Sequence, residues 1–121
     1  MPRDRLAAYR HGHFAEAAAA MLLLAKGYRP LARRYRTPLG EIDLIVKRGR
    51  LIAFVEVKAR TGLQSVGRMS ELRIVDAADL WLAKHPDAAG FDIRYDMVVV
   101  TPWRLPMHLA DAFRPGFDKV F

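Results

Sequence analysis

Two short bursts of apolar residues dominate the middle of the chain, Gly40-Glu41-Ile42-Asp43-Leu44-Ile45-Val46 and Leu51-Ile52-Ala53-Phe54-Val55-Glu56-Val57-Lys58. Both are rich in β-branched residues and too short for helices, so they predict strands. The spacer Lys47-Arg48-Gly49-Arg50 supplies a glycine for positive φ and predicts a hairpin. Upstream, His13 to Lys26 is rich in alanine and leucine and is followed by Gly27, the pattern of a helix and its stop. Tyr28 to Arg36 reads as a strand that turns at Pro38 and Gly40. Downstream, Ala59 to Arg68 reads as a loop. Met69 to Lys84 carries apolar residues at Met69, Leu72, Val75, Ala78, Leu80 and Leu82 and predicts a second helix, ended by His85-Pro86-Asp87. Phe91 to Thr101 becomes continuously apolar at Met97 to Val100, as a core strand does, and a last short strand falls near His108 to Ala110. The order α-β-β-β-α-β-β predicts a layered α/β or α+β domain with a mixed sheet.

The central hairpin carries groups that a core strand should not. Burying an ionised carboxylate without a partner costs several kcal/mol or forces it to neutralise, yet Glu41, Asp43 and Glu56 stand among Ile, Leu, Val and Phe. Side chains alternate faces along a strand, so Glu41, Asp43 and Ile45 share one face, and Phe54, Glu56 and Lys58 share one face of the next strand. A two-residue turn at Arg48-Gly49, or a four-residue loop from Lys47 to Arg50, sets Asp43 opposite Phe54 and Glu41 opposite Glu56. Asp43 and Glu56 are then diagonal neighbours on one face, with Cα atoms roughly 7–8 Å apart. Carboxylates reaching inward from there can share one ion at oxygen–metal distances of about 2 Å. A three-residue loop would send Asp43 to the other face.

Like charges facing each other across a hairpin are destabilising, and a shared cation gives them a reason to be there. Hard oxygen donors suit Mg²⁺ or Mn²⁺ rather than zinc. Lys58, on the face of Glu56, is placed to orient a water or to stabilise charge on a phosphate. The alternative is an ordinary hairpin whose polar face meets solvent; the apolar surroundings of Glu56 weigh against it.

Charge points to the substrate. The 121 residues carry a formal net charge of +7. Residues 1–60 hold 13 basic and 5 acidic side chains, whereas residues 61–121 hold 7 and 8. A basic excess concentrated in one half favours a polyanion, most often nucleic acid. Arg33, Arg34 and Arg36 alternate with Tyr35 on the strand leading to the hairpin, and Arg60 and Arg68 flank the loop after Lys58; all five are candidate phosphate contacts. The length fits one domain spanning 1–121. The absence of cysteine excludes disulfides, thiolate zinc sites and cysteine nucleophiles and fits a reducing, cytoplasmic setting. Ala17 to Ala25 is too short an apolar run to span a bilayer. Asp96 reads as a residue that caps or hydrogen-bonds a turn rather than one that does chemistry, His85 and His108 as surface or turn residues, and Trp81 and Trp103 as core packing.

Asp43 followed by Glu56-Val57-Lys58 at the end of an apolar strand resembles the PD-(D/E)XK nuclease motif. More closely, Gly40-Glu41-Ile42-Asp43-Leu44-Ile45 with Phe54-Val55-Glu56-Val57-Lys58 resembles the YraN family of small bacterial proteins, similar in fold to archaeal Holliday-junction resolvases. Gly12, Glu16, Gly27-Tyr28, Tyr95-Asp96 and Ala112-Phe113 extend the resemblance along most of the chain. It implies an α/β, restriction-endonuclease-like core, with a mixed central sheet flanked by helices. It implies metal ligation by Asp43, Glu56 and the Val57 carbonyl, water activation by Lys58, and a completing acid at Glu16. The implied activity is Mg²⁺- or Mn²⁺-dependent hydrolysis of DNA, on branched or otherwise structured substrates, by a homodimer. The chain departs from the family pattern at Met69-Ser70-Glu71-Leu72-Arg73, where a more basic second-helix start is expected, and at Ser65-Val66-Gly67-Arg68, where a Pro-Glu-Ala-Val-like segment is expected. Fold-level analogy is a weak warrant for activity, so a non-catalytic nucleic-acid-binding module on the same fold is the alternative. A partner-recruitment protein is a third reading, which the basic first half disfavours.

Overall fold

The structure, a computed structural model, describes the backbone of residues 3–59 and 68–114 and the side chains of residues 13–59 and 73–114. Arg60 and the Arg68 side chain lie outside the described residues. The elements run α1 (Arg3–Ala25), β1 (Arg29–Thr37), β2 (Gly40–Arg48), β3 (Leu51–Ala59), α2 (Arg68–Ala83), a short 3₁₀ turn (Pro86–Ala88), β4 (Asp92–Val100) and β5 (Met107–Phe113). This is the order the hydrophobic pattern predicts. The strands form one five-stranded sheet in the order β1-β2-β3-β4-β5. Only β3 and β4 pair in parallel, with α2 as their crossover; the other three pairings are antiparallel.

Helix α1 starts ten residues earlier than the expected His13. The added segment is built from Arg, Leu and Ala, good helix formers, and it carries Gly12 at a cost of about 1 kcal/mol against alanine. The helix stops at Gly27, whose φ of +93° lets the chain reverse. The Tyr28 amide donates to the Leu23 carbonyl and the Gly27 amide to the Leu24 carbonyl, the paired bonds of a Schellman stop.

The sheet separates two apolar layers. On one side Ala15, Ala19 and Leu23 of α1 close over Leu44, Val46, Ala53, Val55, Val98 and Val100. Two alanines four residues apart let the helix backbone approach the sheet closely. On the other side Ile74, Ala77, Ala78 and Trp81 of α2 pack on Ile42, Ile45, Ile52 and Phe54, where Trp81 meets Phe54 edge-on. Among the described residues no helix is long and apolar enough to cross a membrane.

The hairpin register differs from the expected one. The turn residues are Gly49 and Arg50, so Arg48 pairs with Leu51, Ile45 with Phe54 and Leu44 with Val55. Gly49 adopts φ +61°, and a primed two-residue turn takes glycine at that first central position without strain. The turn keeps an even length, so the sides stay as expected, but the pairing slides by two residues. Continued one step, it sets Asp43 directly across from Glu56 rather than diagonal to it.

Strict alternation also fails at one point. Ile42 and Ile45 are three apart yet both join the α2 layer, as do their β1 partners Tyr35 and Ala32. Between them Arg34 takes φ +51°, and β1 carries a further register shift between Pro30 and Ala32. Both strands turn over together at Arg34 and Asp43, so Asp43 occupies a kink instead of a regular ladder position.

Two further expectations are corrected. Asp96 and His108 are buried at the centre of a polar network. The Arg94 guanidinium donates twice to the Asp96 carboxylate, at 2.7 Å each, and the Asp111 amide donates to it at 3.0 Å. His108 Nε2 lies 2.8 Å from Asp96, and its Nδ1 lies 2.8 Å from Lys26 Nζ. Lysine has only protons to give, so Nδ1 accepts and Nε2 carries the proton given to Asp96. Burial pushes the Asp96 carboxyl up, but the Arg94, Asp111 and His108 donors outweigh it and hold the group below the usual carboxylate range. Trp81 packs in the core as expected, whereas Trp103, in the β4–β5 connection with φ +65°, is fully exposed.

Candidate metal and phosphate site

At the end of the sheet away from the hairpin turn, β2 and β3 open into a groove of about 640 Å³. Glu41, Asp43 and Glu56 line it together with Arg36, Lys58 and Arg73, and Thr37 to Gly40 of the β1–β2 turn complete the lining. The charges are interleaved: Arg36 pairs with Glu41 at 3.5 Å, and Lys58 pairs with Glu56. The Thr37 hydroxyl ties that turn, accepting from the Leu39 and Gly40 amides and donating to the Gly40 carbonyl at 2.7 Å. Gly40 is required there for space: a Cβ would stand 2.6 Å from the Arg73 carbonyl oxygen. The contact locks the turn against α2 and brings Arg73 to the groove.

Because the β2–β3 ladder ends at Leu44 and Val55, the next β3 amide has no strand partner at β2. The Asp43 side chain takes that place: the Val57 amide donates to its Oδ2 at 2.7 Å. One carboxylate thus both closes the ladder and borders the groove. Its pKa is raised to about 7, first by burial; the Val57 amide lowers it, and the charges of Glu56, Glu16 and Glu41 raise it further. Lys58 Nζ pairs with Glu56 Oε1 at 2.8 Å, both side chains being largely buried.

Asp43, Glu56 and Lys58 therefore meet in one groove: alternation along β3 sets Glu56 and Lys58 on one side, and Asp43 joins them from the kink. Glu16 does not line it. Its carboxylate pairs with the Arg34 guanidinium, which also meets His13 Nδ1, although Glu16 remains near enough for its charge to act on Asp43. The arginine series of β1 is divided by the kink. Arg36 reaches the groove, Arg33 is exposed, and Arg34 turns to α1. Among the described residues no three acidic or histidine side chains converge as a ready-made metal cluster. The oxygen donors in reach are two carboxylates and the local backbone. Hard oxygens of that number fit a small cation that keeps several waters and takes further oxygens from a phosphate, as Mg²⁺ does.

Arg73, Glu41 and the Thr37–Gly40 turn complete the groove and were not among the expected site residues. Arg73 had a weak signal, a cation directly before the buried Ile74 at the sheet-facing start of α2. Nothing in the local sequence tells that Gly40 will press against it.

The fold and groove define a small mixed α/β protein with a paired-carboxylate, lysine-bearing site at the open end of its sheet. Residues 15–100 match the uncharacterised protein family UPF0102. The chain is 53% identical over 114 residues to the UPF0102 protein mlr4633 of Mesorhizobium japonicum, covering 91% of each. It is 50% identical over 113 residues to a UPF0102 protein of Nitrobacter winogradskyi, covering 90% of this chain and 96% of the relative. The chain belongs to the UPF0102 family, the YraN group of small bacterial proteins.

Proposed function

We propose that this protein is a metal-dependent nuclease of the PD-(D/E)XK type, a single cytoplasmic domain acting on DNA, with branched or otherwise structured DNA as its substrate. The carrying observation is the meeting of Asp43, Glu56 and Lys58 in one groove that Arg36 and Arg73 also line. Asp43, Glu56 and the Val57 carbonyl are the oxygens that would hold Mg²⁺ or Mn²⁺. Such a cation, when bound, polarises a phosphodiester and lowers the pKa of a coordinated water.

The chain's own residues do the rest. Lys58, held by Glu56, donates to a phosphate oxygen or to the attacking water. Arg36 and Arg73, which line the groove, neutralise flanking phosphates, and Arg33 adds an exposed cation on β1. Glu16, paired with Arg34, adds negative charge near Asp43 without bordering the groove. Arg60 and Arg68 are carried in the proposal from sequence alone.

A second reading, a DNA-binding module without turnover, is favoured by one observation: Asp43 and Glu56 are already engaged by the Val57 amide and by Lys58. A cleavage assay on linear, flapped and four-way-junction DNA with Mg²⁺ and Mn²⁺ decides between them. Nuclease action requires cleavage that Asp43→Ala and Glu56→Ala abolish while the fold persists. Salt-dependent binding with divalent uptake and no cleavage establishes the binding module, and cleavage unchanged in Asp43→Ala refutes the site.

A further inference from the structure

The groove sets three acids against three cations, so a basic excess has to lie elsewhere. At the opposite end of the sheet the β2–β3 turn carries Lys47, Arg48 and Arg50, and the chain entering β1 adds Lys26 and Arg29. Lys47 stands directly across from Arg29 in the ladder, and like charges so placed are destabilising. Other cations are set against acids, as in Arg34–Glu16, Arg94–Asp96 and Arg114–Asp111. Among the described residues, none of the five at the hairpin end forms an ion pair with a carboxylate.

These cations are nevertheless held in place. The Arg48 guanidinium lies 4.3 Å from the Tyr28 ring centroid and donates to the Lys26 carbonyl at 3.2 Å. Arg50 donates to the Gly90 carbonyl at 3.0 Å and lies 5.4 Å from the Phe91 ring, which Lys47 approaches at 4.8 Å. Aromatic faces and carbonyls fix the side chains without cancelling their charge, and most guanidinium N–H groups remain for a ligand. Edge protection accounts for Arg29 on β1 but not for Lys47, Arg48 and Arg50, which stand on an inner strand or in its turn. Helices α1 and α2 also end here, at Ala25 and Ala83, each with about half a negative charge. Lys84, Asp87 and Asp92 lie at the same end. With all of these counted, the hairpin end keeps a charge of about +3.

We infer that the hairpin end is a second nucleic-acid contact, separate from the groove, which takes the phosphate backbone of duplex DNA without reading its sequence. The rings lie beneath the cations, Tyr28 buried and Phe91 half-buried, so the patch offers charge and planar donors rather than the apolar wedge that a membrane surface requires. Glu41 and Arg48 are the ends of one strand, and seven steps along it set the patch about 23 Å from the groove. That is the length of about seven base pairs at 3.4 Å each. A duplex laid along the β1 edge reaches both ends and passes the exposed Arg33 between them. The inference rests on the DNA partner of the proposed function but not on cleavage.

Fluorescence anisotropy of a labelled duplex of about 20 base pairs, with the full chain in EDTA over about 50–200 mM KCl, tests it. The triple variant Arg29→Gln, Lys47→Gln, Arg50→Gln is expected to bind about 10-fold more weakly or worse at about 0.1 M salt. Its slope of log affinity against log salt should be shallower by about 2–3. The groove pair Arg36→Gln, Arg73→Gln should lose less affinity, and two duplexes of unrelated sequence should bind the wild type alike. Arg29→Lys with Arg50→Lys keeps the charge and should keep the slope, which separates charge from fold. Should the triple variant not fold, Lys47→Gln alone, which relieves the contact with Arg29, should lower the slope by about 1. Wild-type affinity and slope in a folded triple variant overturn the inference. So do an equal loss in the groove pair, a lowered slope in the lysine variant, an unchanged slope in Lys47→Gln, or displacement of the duplex by vesicles of phosphatidylserine and phosphatidylcholine. A wild type that binds no duplex overturns the DNA partner with it, whereas binding through the hairpin end without cleavage on adding Mg²⁺ or Mn²⁺ sinks the nuclease reading alone.

Discussion

Replacing Asp43 by asparagine should stabilise this protein at neutral and alkaline pH, although it removes the central acid of the groove. In the native state the Asp43 carboxyl is raised from 3.8 to about 7, first by burial, against the pull of the Val57 amide, and then by Glu56, Glu16 and Glu41. A carboxyl whose pKa is higher folded than unfolded binds more protons in the folded state. Its contribution is therefore most favourable below the unfolded value near 4, declines as pH rises, and is a full penalty above about 7. At 1.36 kcal/mol per pH unit the span corresponds to about 4 kcal/mol. Water on the open side of the groove screens part of it, so about 2–4 kcal/mol is expected at pH 8. Asparagine keeps an oxygen for the Val57 amide and carries no charge, so Asp43→Asn recovers most of that amount. Urea unfolding of both proteins in EDTA at pH 8 and pH 4 measures it. The gain should be present at pH 8 and mostly gone at pH 4; the Asp96 network is common to both proteins. Added Mg²⁺ or Mn²⁺ should stabilise the wild type by mass action and leave the variant unmoved. An Asp43→Asn protein no more stable than wild type at pH 8 would refute the electrostatic argument, whatever its effect on cleavage.

The Asp96 network makes the opposite prediction. Its carboxyl is held below the usual range, so its stabilisation is complete above the unfolded value and is lost as pH falls through the folded one. Asp96→Ala leaves Arg94 and His108 facing an empty buried site and should cost about 3–5 kcal/mol in urea unfolding at pH 7. Gly40→Ala drives a Cβ to 2.6 Å from the Arg73 carbonyl oxygen. It should cost about 1–3 kcal/mol and shift the α2 resonances around Arg73 in heteronuclear spectra; a variant as stable as wild type would show that the turn is not locked against α2.

Much of this architecture was legible in local pattern. The apolar runs at Ile42–Val46 and Leu51–Val57, with Gly49 between them, identify a hairpin because side-chain period and turn chemistry are properties of a few neighbouring residues. The same local logic places Glu56 and Lys58 on one face, two residues apart. The turn at Gly49-Arg50 has the same even length as one at Arg48-Gly49, so over the paired stretch from Leu44 to Leu51 the sides are unchanged although the register moves by two.

What the chain could not declare locally came from residues far apart in sequence. The kink at Arg34 and Asp43 sets Ile42 and Ile45 on one side against alternation, because two strands must turn over together. Glu16 is drawn to Arg34, eighteen residues on, and so stays off the groove wall. Arg73 enters the groove only because Gly40 has no side chain to keep α2 away. His108 and Asp96, individually ordinary, become a buried pair where β4, β5 and the end of α1 meet. Alternation thus determined that Glu56 and Lys58 would share a face. Packing between elements decided which other charges join them and which are withdrawn into ion pairs, because desolvation and close contact exist only once the distant segments meet.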